Sequence, residues 1–173
     1  QNIHIGYIYI MNNYSTVEIN IAKTFLAMAK NSIGAKMFQN FYGTINGKPK
    51  DLVKNGNLSC AFFISTLLHF FKLINDPHLT VMGLLKDMEA SNWRKVRQPK
   101  IGDILIWEPV DFGSGINHAH VGIFIGQNKA ISNNSKTGKP ARHHFTFGTK
   151  SGQPKRRITA VYRHTTIEKV IKS

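Results

Sequence analysis

The sequence has only one cysteine, Cys60, among its 173 residues, so no disulfide bond can form within the chain. It also lacks any apolar run approaching the ~20 residues that a membrane-spanning helix needs. The longest apolar stretch, residues 61–74, is interrupted by Ser65, Thr66, His69 and Lys72. Internal repeats and heptad arrays are absent as well, which excludes solenoid and coiled-coil architectures. We therefore predict no transmembrane segment.

Acidic residues are scarce. The chain has nine Asp and Glu residues and 23 Lys and Arg residues, which gives a net charge of +14. The excess is uneven, since residues 129–173 carry 11 basic and 1 acidic side chains, a net charge of +10. Such a segment is expected to attract a polyanion, such as nucleic acid, an anionic wall polymer or acidic lipid headgroups. No nucleic-acid reading motif or aromatic array accompanies it, so we predict no specific nucleic-acid partner.

The remaining composition, 42% hydrophobic and 18% charged, is typical of one folded domain. We interpret residues 1–14 as an N-terminal strand or linker and residues 15–173 as the domain. Because the chain starts at Gln1, we expect that a leader or upstream domain has been removed. Ser15-x-x-Glu18 matches a capping box and predicts a helix from Ser15, with apolar residues at helical spacing as far as Ile33.

Two more helices are predicted, one from Cys60 to about Ile74 and one capped by Thr80 and reaching about Ser91. Short β-branched and aromatic segments follow and predict strands. These segments are residues 104–107, 121–125, 129–131, 143–147 and 158–162. Helices followed by strands favour an α+β domain, with N-terminal helices packed on a C-terminal antiparallel β-sheet.

Cys60 stands where a polar, glycine-containing loop meets the apolar run of its helix. A helix N-terminus carries a partial positive charge, which favours the thiolate form of a cysteine. His120 begins the apolar strand segment 121–125, and a lone cysteine with a distant histidine is typical of a nucleophile and its base. The alternative is a small buried hydrophobic residue without chemistry.

Three motifs occur in a characteristic order: Ser59-Cys60-Ala61-Phe62, the segment Pro99 to Trp107 (PKIGDILIW), and the segment His120 to Gly126 (HVGIFIG). In this order they resemble the NlpC/P60 cysteine peptidases, which are papain-like hydrolases, with CHAP-type amidases a close second. The resemblance covers residues 38–134. It implies a papain-like fold, no cofactor, a monomer and an extracellular or cell-envelope location. The implied activity is hydrolysis of peptidoglycan peptides by a wall endopeptidase or amidase.

The resemblance also implies roles for individual residues. Cys60 attacks a carbonyl carbon, His120 takes the thiol proton and returns it to the leaving amine, and the Cys60 backbone N–H helps to bind the oxyanion. Tyr42 matches an upstream tyrosine of the family and is a predicted substrate-binding residue. The family usually has an acidic residue before the cysteine and Ser-Gly after it. This chain has Ser59, Ala61 and Phe62 there, so the substrate groove is expected to differ.

A third residue should orient the histidine from the next strand, about a dozen positions later. Counting from His120 reaches Ser132, beside Asn133 and Asn134. An asparagine carbonyl accepts a hydrogen bond from imidazole better than serine does. We therefore predict Asn133, with Ser132, Asn134, His143 and His144 as the alternatives.

Two other functions compete with catalysis. The histidines His118, His120, His143 and His144 suggest a zinc site, although no carboxylate accompanies them. The second alternative is a non-catalytic module that binds an anionic wall polymer through the basic C-terminal segment. The Gly43 to Lys48 segment does not match a phosphate-binding loop, since Pro49 stands where Ser or Thr is required.

Overall fold

A computed structural model describes residues 8–11, 15–111 and 115–170 of the chain. Within these residues the fold is α+β, as predicted, with four helices and a six-stranded antiparallel sheet. The helices are α1 (Ile21–Asn31), α2 (Cys60–Phe70), α3 (Val81–Ala90) and α4 (Thr165–Val170). None of the described helices is both long and apolar enough to cross a membrane.

The first helix begins later than the capping box predicted. Ser15–Glu18 is a strand that pairs with Ile8–Met11 in a two-stranded hairpin. Helix α1 begins at Ile21, and its cap is Asn20, whose side chain accepts a hydrogen bond from the Lys23 N–H at 2.8 Å. The capping-box prediction is therefore wrong, because a better-placed Asn supplies the cap five residues downstream of Ser15.

The other two predicted helices are present. Helix α2 begins at Cys60 but ends at Phe70, short of the predicted Ile74, because Lys72 turns into the left-handed region with φ 53°. Helix α3 follows Thr80, whose side chain accepts from the Gly83 N–H, as predicted.

The strands are β1 (Ile8–Met11), β2 (Ser15–Glu18), β3 (Tyr42–Ile45), β4 (Lys48–Asp51), β5 (Trp93–Lys95), β6 (Ile104–Asp111), β7 (Asn117–Gly126), β8 (Lys129–Asn134), β9 (Lys139–His144), β10 (Thr149–Lys150), β11 (Gln153–Pro154) and β12 (Ile158–His164). The main sheet has the order β5-β12-β6-β7-β8-β9. One predicted strand, residues 143–147, is displaced to Lys139–His144. The true strand is polar and contains Pro140, which is tolerated because β9 is an edge strand.

The two faces of the sheet are buried by different partners. The face toward the helices carries Ile104, Ile106, Val121, Ile123 and Ile131, which pack with α1, α2 and α3 in the main core. The opposite face carries a smaller cluster built on Leu105, Trp107, Phe124, Ala130 and Val161. Since side chains alternate along a strand, His120 and Gly122 lie on this second face.

The Pro99–Trp107 motif is anchored by a buried ion pair. Arg163 on β12 donates to both carboxylate oxygens of Asp103, at 2.9 and 2.7 Å. Both side chains are almost completely buried. A bidentate pair of this kind fixes the start of β6 against β12, and β6 in turn positions β7.

Candidate active site

Cys60 is the first residue of α2, as the sequence predicted, and this partly buried residue packs against the main core. The backbone N–H groups of Val121, Ala61 and Cys60 itself face the sulfur. Val121 directly follows His120 on β7. The thiol therefore lies beside the backbone of the residue that follows the predicted base, whereas the His120 side chain is on the opposite face of β7 from that of Val121.

This meeting point exists because two neighbouring strands separate. The pairing of β7 with β8 begins at Gly122 opposite Ser132, so His120 and Val121 lie before it. Strand β8 continues past Ser132, where its pairing with β9, which runs along the whole of β8, goes on without β7. Helix α2 contacts both β7 and β8, and its first residue meets β7 at Val121, where the two strands separate.

The loop that leads into α2 is held by backbone contacts. Asn133 Nδ2 donates to the Gly56 carbonyl at 2.6 Å, and the Ser59 hydroxyl donates to the same carbonyl at 3.1 Å. Gly56 has φ +81°, and a Cβ there would lie 2.3 Å from the Gly138 carbonyl oxygen. Position 56 therefore requires glycine for two reasons, the positive φ and the close approach of the Gly138 carbonyl. The turn between β8 and β9, which contains Gly138, thus fixes the position of the loop that precedes Cys60.

Burial, rather than the helix N-terminus, dominates the charge state of Cys60. Desolvation raises the pKa of the thiol, although the N–H groups of Val121 and Ala61 and the charge of Arg156 act to lower that pKa. We expected the helix N-terminus to favour the thiolate, and that expectation is wrong for the free protein. The resting form is the thiol.

The imidazole of His120 is also neutral. Burial lowers the pKa of His120 to about 3, and the positive charge of Arg156 and the proximity of His143 act in the same direction. A neutral imidazole has one unprotonated ring nitrogen, as a proton acceptor must, but the lowered pKa makes His120 a weak base in the free protein. The thiol of Cys60 and the imidazole of His120 are therefore both uncharged in the free protein.

Ser132 is the residue that hydrogen-bonds to His120. Its Oγ lies 2.8 Å from His120 Nε2 and 2.7 Å from His143 Nε2, so the hydroxyl bridges the two rings. The residue reached by direct counting along the chain is thus the one in contact. Two of the alternatives weighed from sequence, Ser132 and His143, are joined in one chain of contacts.

Asn133, the residue predicted to orient His120, has its side chain on the other face of the sheet. It follows Ser132 on β8, and alternation turns its side chain to the helix face, where it binds Gly56. We therefore replace Asn133 by Ser132 as the residue that orients His120. The prediction assumed a one-residue shift in the β7–β8 turn, and the pairing of Gly122 with Ser132 does not contain that shift.

Aromatic rings enclose this polar chain. The Phe147 ring stacks on His143 with a centroid separation of 4.1 Å, and the Trp107 ring lies 5.5 Å from His120 and 5.7 Å from His143. Trp107 is fixed in turn by its indole N–H, which donates to the Phe145 carbonyl at 2.7 Å. A Cβ on Gly122 would lie 3.0 Å from the Trp107 ring, so the small residue leaves room for the indole. Such packing restricts both imidazoles to one orientation.

Arg156 is a site residue that sequence reasoning did not identify. Its guanidinium is largely buried, donates to the carbonyl oxygens of Glu108 and His118, and lies over the Phe147 ring. Its charge lowers the pKa of both Cys60 and His120. It was counted only as part of the basic C-terminal excess, because no sequence signal separates a buried arginine from its exposed neighbours Lys155 and Arg157.

Tyr42 is the first residue of β3, and its side chain is 74% exposed. The preceding residue, Phe41, packs on Phe62 of α2 with ring centroids 5.0 Å apart, so the β3–β4 hairpin is attached to the helix of Cys60. An exposed aromatic ring on this hairpin is available to a ligand. The substrate-binding role of Tyr42 stays a prediction.

The zinc alternative gains no support. Across residues 8–11, 15–111 and 115–170, no three His, Cys, Asp or Glu side chains are grouped so as to hold a metal ion. The ring nitrogens of His143 are both occupied, one by Ser132 and one by the His144 carbonyl.

No protein-family model matches this chain, and no curated protein matches it either. The resemblance to NlpC/P60 peptidases therefore stays a prediction from three short motifs.

Proposed function

We propose that this protein is a cysteine-nucleophile amide hydrolase that cleaves peptidoglycan peptides. The observation that carries the proposal is the position of Cys60: a lone thiol at a helix start, against the backbone of β7 at the residue that follows His120. A base oriented by a third residue is the usual companion of such a nucleophile, and Ser132 supplies that contact to His120.

The proposed mechanism starts from the neutral pair. As the sulfur attacks the substrate carbonyl, its proton passes to His120, and the new S–C bond leaves negative charge on the carbonyl oxygen. The N–H groups at the start of α2 and the charge of Arg156 are suited to stabilise that developing charge. His120 then protonates the leaving nitrogen, and a water molecule hydrolyses the thioester.

The choice of peptidoglycan rests on the family resemblance and on charge. The basic C-terminal segment has exposed side chains that suit an anionic wall, namely Lys129, Lys136, Arg142, Lys150 and Lys155. Two members of the basic excess do not serve this purpose, because Arg156 and Arg163 are buried and internally bonded. Cell-wall polymer is accordingly the proposed partner and the cell envelope or extracellular space the proposed location.

The test is digestion of purified peptidoglycan followed by mass spectrometry of the released fragments. We expect wild-type protein to release fragments with newly exposed carboxyl and amino groups, and Cys60→Ala to release none. His120→Gln should be equally inactive, whereas His69→Gln, an exposed histidine at the end of α2, should retain full activity. Full activity of Cys60→Ala would end the proposal.

A non-catalytic module that binds anionic wall polymer is the second candidate, favoured by the burial that raises the pKa of Cys60. Buried thiols are usually inert. In this case wild type and Cys60→Ala would bind an anionic wall polymer equally and digest nothing. The double variant Lys150→Glu/Lys155→Glu, at two exposed positions, would then release the polymer.

A further inference from the structure

The Ser132 hydroxyl bridges the imidazoles of His120 and His143, and the surrounding hydrogen bonds determine which group donates and which accepts in each contact. His143 Nδ1 lies 2.8 Å from the carbonyl oxygen of His144. A carbonyl oxygen only accepts, so Nδ1 carries the proton of that contact. Because burial lowers the pKa of His143, the ring is neutral and its other nitrogen, Nε2, is an acceptor.

The hydroxyl of Ser132 has one proton and touches two ring nitrogens. His143 Nε2 is an acceptor, so the hydroxyl donates there. Its contact with His120 at 2.8 Å is then one in which the oxygen accepts, and His120 Nε2 carries the hydrogen. In a neutral imidazole this leaves His120 Nδ1 as the unprotonated nitrogen.

We propose that His143 is a positioning residue which acts through Ser132 to hold His120 in the Nε2–H tautomer, so that Nδ1 is the base for Cys60. The inference rests on the proposed function for its catalytic meaning, but the tautomer itself is independent of turnover. His143 touches no reacting atom and takes no proton from the thiol. During attack the thiol proton moves to His120 Nδ1, while the Ser132 and His143 protons remain in place.

A serine in this position needs such a partner. An asparagine that turned its carbonyl oxygen to the imidazole could only accept there, and that contact would fix the tautomer. A hydroxyl donates or accepts with equal ease, and by itself it would permit either tautomer of His120. The acceptor nitrogen of His143 removes that freedom. The stacked Phe147 and the Trp107 ring keep both imidazoles from rotating out of line.

The experiment measures the tautomer directly with ¹⁵N-labelled histidine, from two-bond proton–nitrogen correlations at pH 7. Wild type should show His120 as the Nε2–H form. His143→Phe preserves a ring for stacking but removes the acceptor, so Ser132 is free to donate to His120 and the Nδ1–H form should appear. His143→Gln keeps an oxygen acceptor for Ser132 and should restore the wild-type signal. His69→Phe should leave His120 unchanged.

Hydrolysis provides a second readout. His143→Phe should lower kcat by roughly tenfold or more, as expected when a general base is held in the wrong form. Ser132→Ala should lower it similarly, and the double variant Ser132→Ala/His143→Phe should be no slower than Ser132→Ala alone, because the two residues act in one chain. Ser132→Asn should make activity insensitive to His143→Phe.

The outcomes separate the two proposals. An unchanged His120 tautomer in a folded His143→Phe protein would overturn the inference, and so would strictly additive losses in the double variant. A tautomer that shifts as expected in a protein that digests no peptidoglycan would support the inference and count against the proposed function. Amide spectra of each variant establish that the fold is retained.

Discussion

Ser132 and Asn133, consecutive residues of β8, hold the two halves of the proposed site from opposite faces of the sheet. Ser132 contacts the imidazole of His120, and Asn133 binds the Gly56 carbonyl in the loop that leads to Cys60. One short strand, β8, therefore holds both the proposed base and the loop that leads to the proposed nucleophile. A shift of β8 by one residue would exchange these two side chains and dismantle both halves together.

Asn133→Asp should destabilise the protein. The substitution keeps the shape but replaces the amide that donates to Gly56 with a carboxylate oxygen, which repels that carbonyl. We expect a loss of about 2 kcal/mol or more in the free energy of unfolding, as for other buried groups left without a partner.

The matched control is Asn134→Asp. The side-chain oxygen of this exposed residue only accepts, from the N–H groups of Lys136 and Thr137, and a carboxylate preserves both bonds. Urea denaturation of the two variants measures the difference. Equal stability of Asn133→Asp and wild type would contradict the role assigned to Asn133.

Acid should destabilise the protein through His120. The pKa of this histidine is about 3 in the folded protein against 6.5 in its ordinary state, so between these values the unfolded chain binds more protons. Stability is then fully present above pH 6.5 and is lost as the pH falls, by up to about 1.4 kcal/mol per pH unit. The burial-lowered pKa of His143 acts in the same direction.

The measurement compares the unfolding free energy of wild type and His120→Gln between pH 7 and pH 4. The variant removes the titrating group, so its stability should fall less steeply than that of wild type. Parallel curves would mean that His120 titrates normally in the folded state.

Gly56→Ala should be far more damaging than an alanine substitution at another glycine with positive φ. Both Gly56 and Gly47 are in this region, with φ of +81° and +77°, but a Cβ at Gly47 meets nothing within 4 Å. Gly47→Ala should therefore cost only the backbone strain of about 1–2 kcal/mol.

At Gly56 the Cβ would also strike the Gly138 carbonyl, which adds about 1–3 kcal/mol and displaces the loop before Cys60. Activity per folded molecule should fall in Gly56→Ala and not in Gly47→Ala. Thermal unfolding and peptidoglycan digestion, measured on the same samples, distinguish the two effects. Comparable losses in both variants would argue against the contact with Gly138.

Cys60 should react slowly with iodoacetamide at neutral pH, because burial raises the pKa of its thiol. The rate of alkylation should continue to rise at pH values where the rate for an ordinary cysteine has become constant, since only the thiolate reacts. Arg156→Gln removes a charge that lowers the pKa of Cys60, and it should slow the reaction further below that pKa, whereas Arg156→Lys should slow it less. The single cysteine makes the mass shift unambiguous. A thiol that reacts faster than free cysteine at pH 7 would contradict this account.

Much of the fold could be predicted from local signals. Thr80 marked the start of α3, and the apolar segments around Ile104, Val121 and Ile131 marked central strands, because burial on both sides of a sheet selects continuous apolar residues. The edge strand β9 carried no such signal, since its residues are polar and include Pro140. The Ser15 capping box matched a motif that pairing in a hairpin overrode.

The placement of Cys60 at a helix start and of His120 on a strand could be predicted, but the neighbours of these two residues could be predicted only in part. Distance along the chain indicated Ser132, but the choice between Ser132 and Asn133 depended on strand register, which one residue in a turn decides. Burial was the second obstacle. The charge state of Cys60 and the location of Arg156 follow from what packs around them, and helix position or residue type alone does not report that.

The contact between Asn133 and Gly56 joins residues separated by 77 positions in sequence. Contacts so distant along the chain close late in folding, after local helices and hairpins have formed. A partly folded or newly synthesised chain would therefore have α2 with its thiol before it has the strand that sets the nucleophile loop and the base. In the proposed mechanism the site is complete only when these long-range contacts have closed, so catalytic competence would follow completion of the fold.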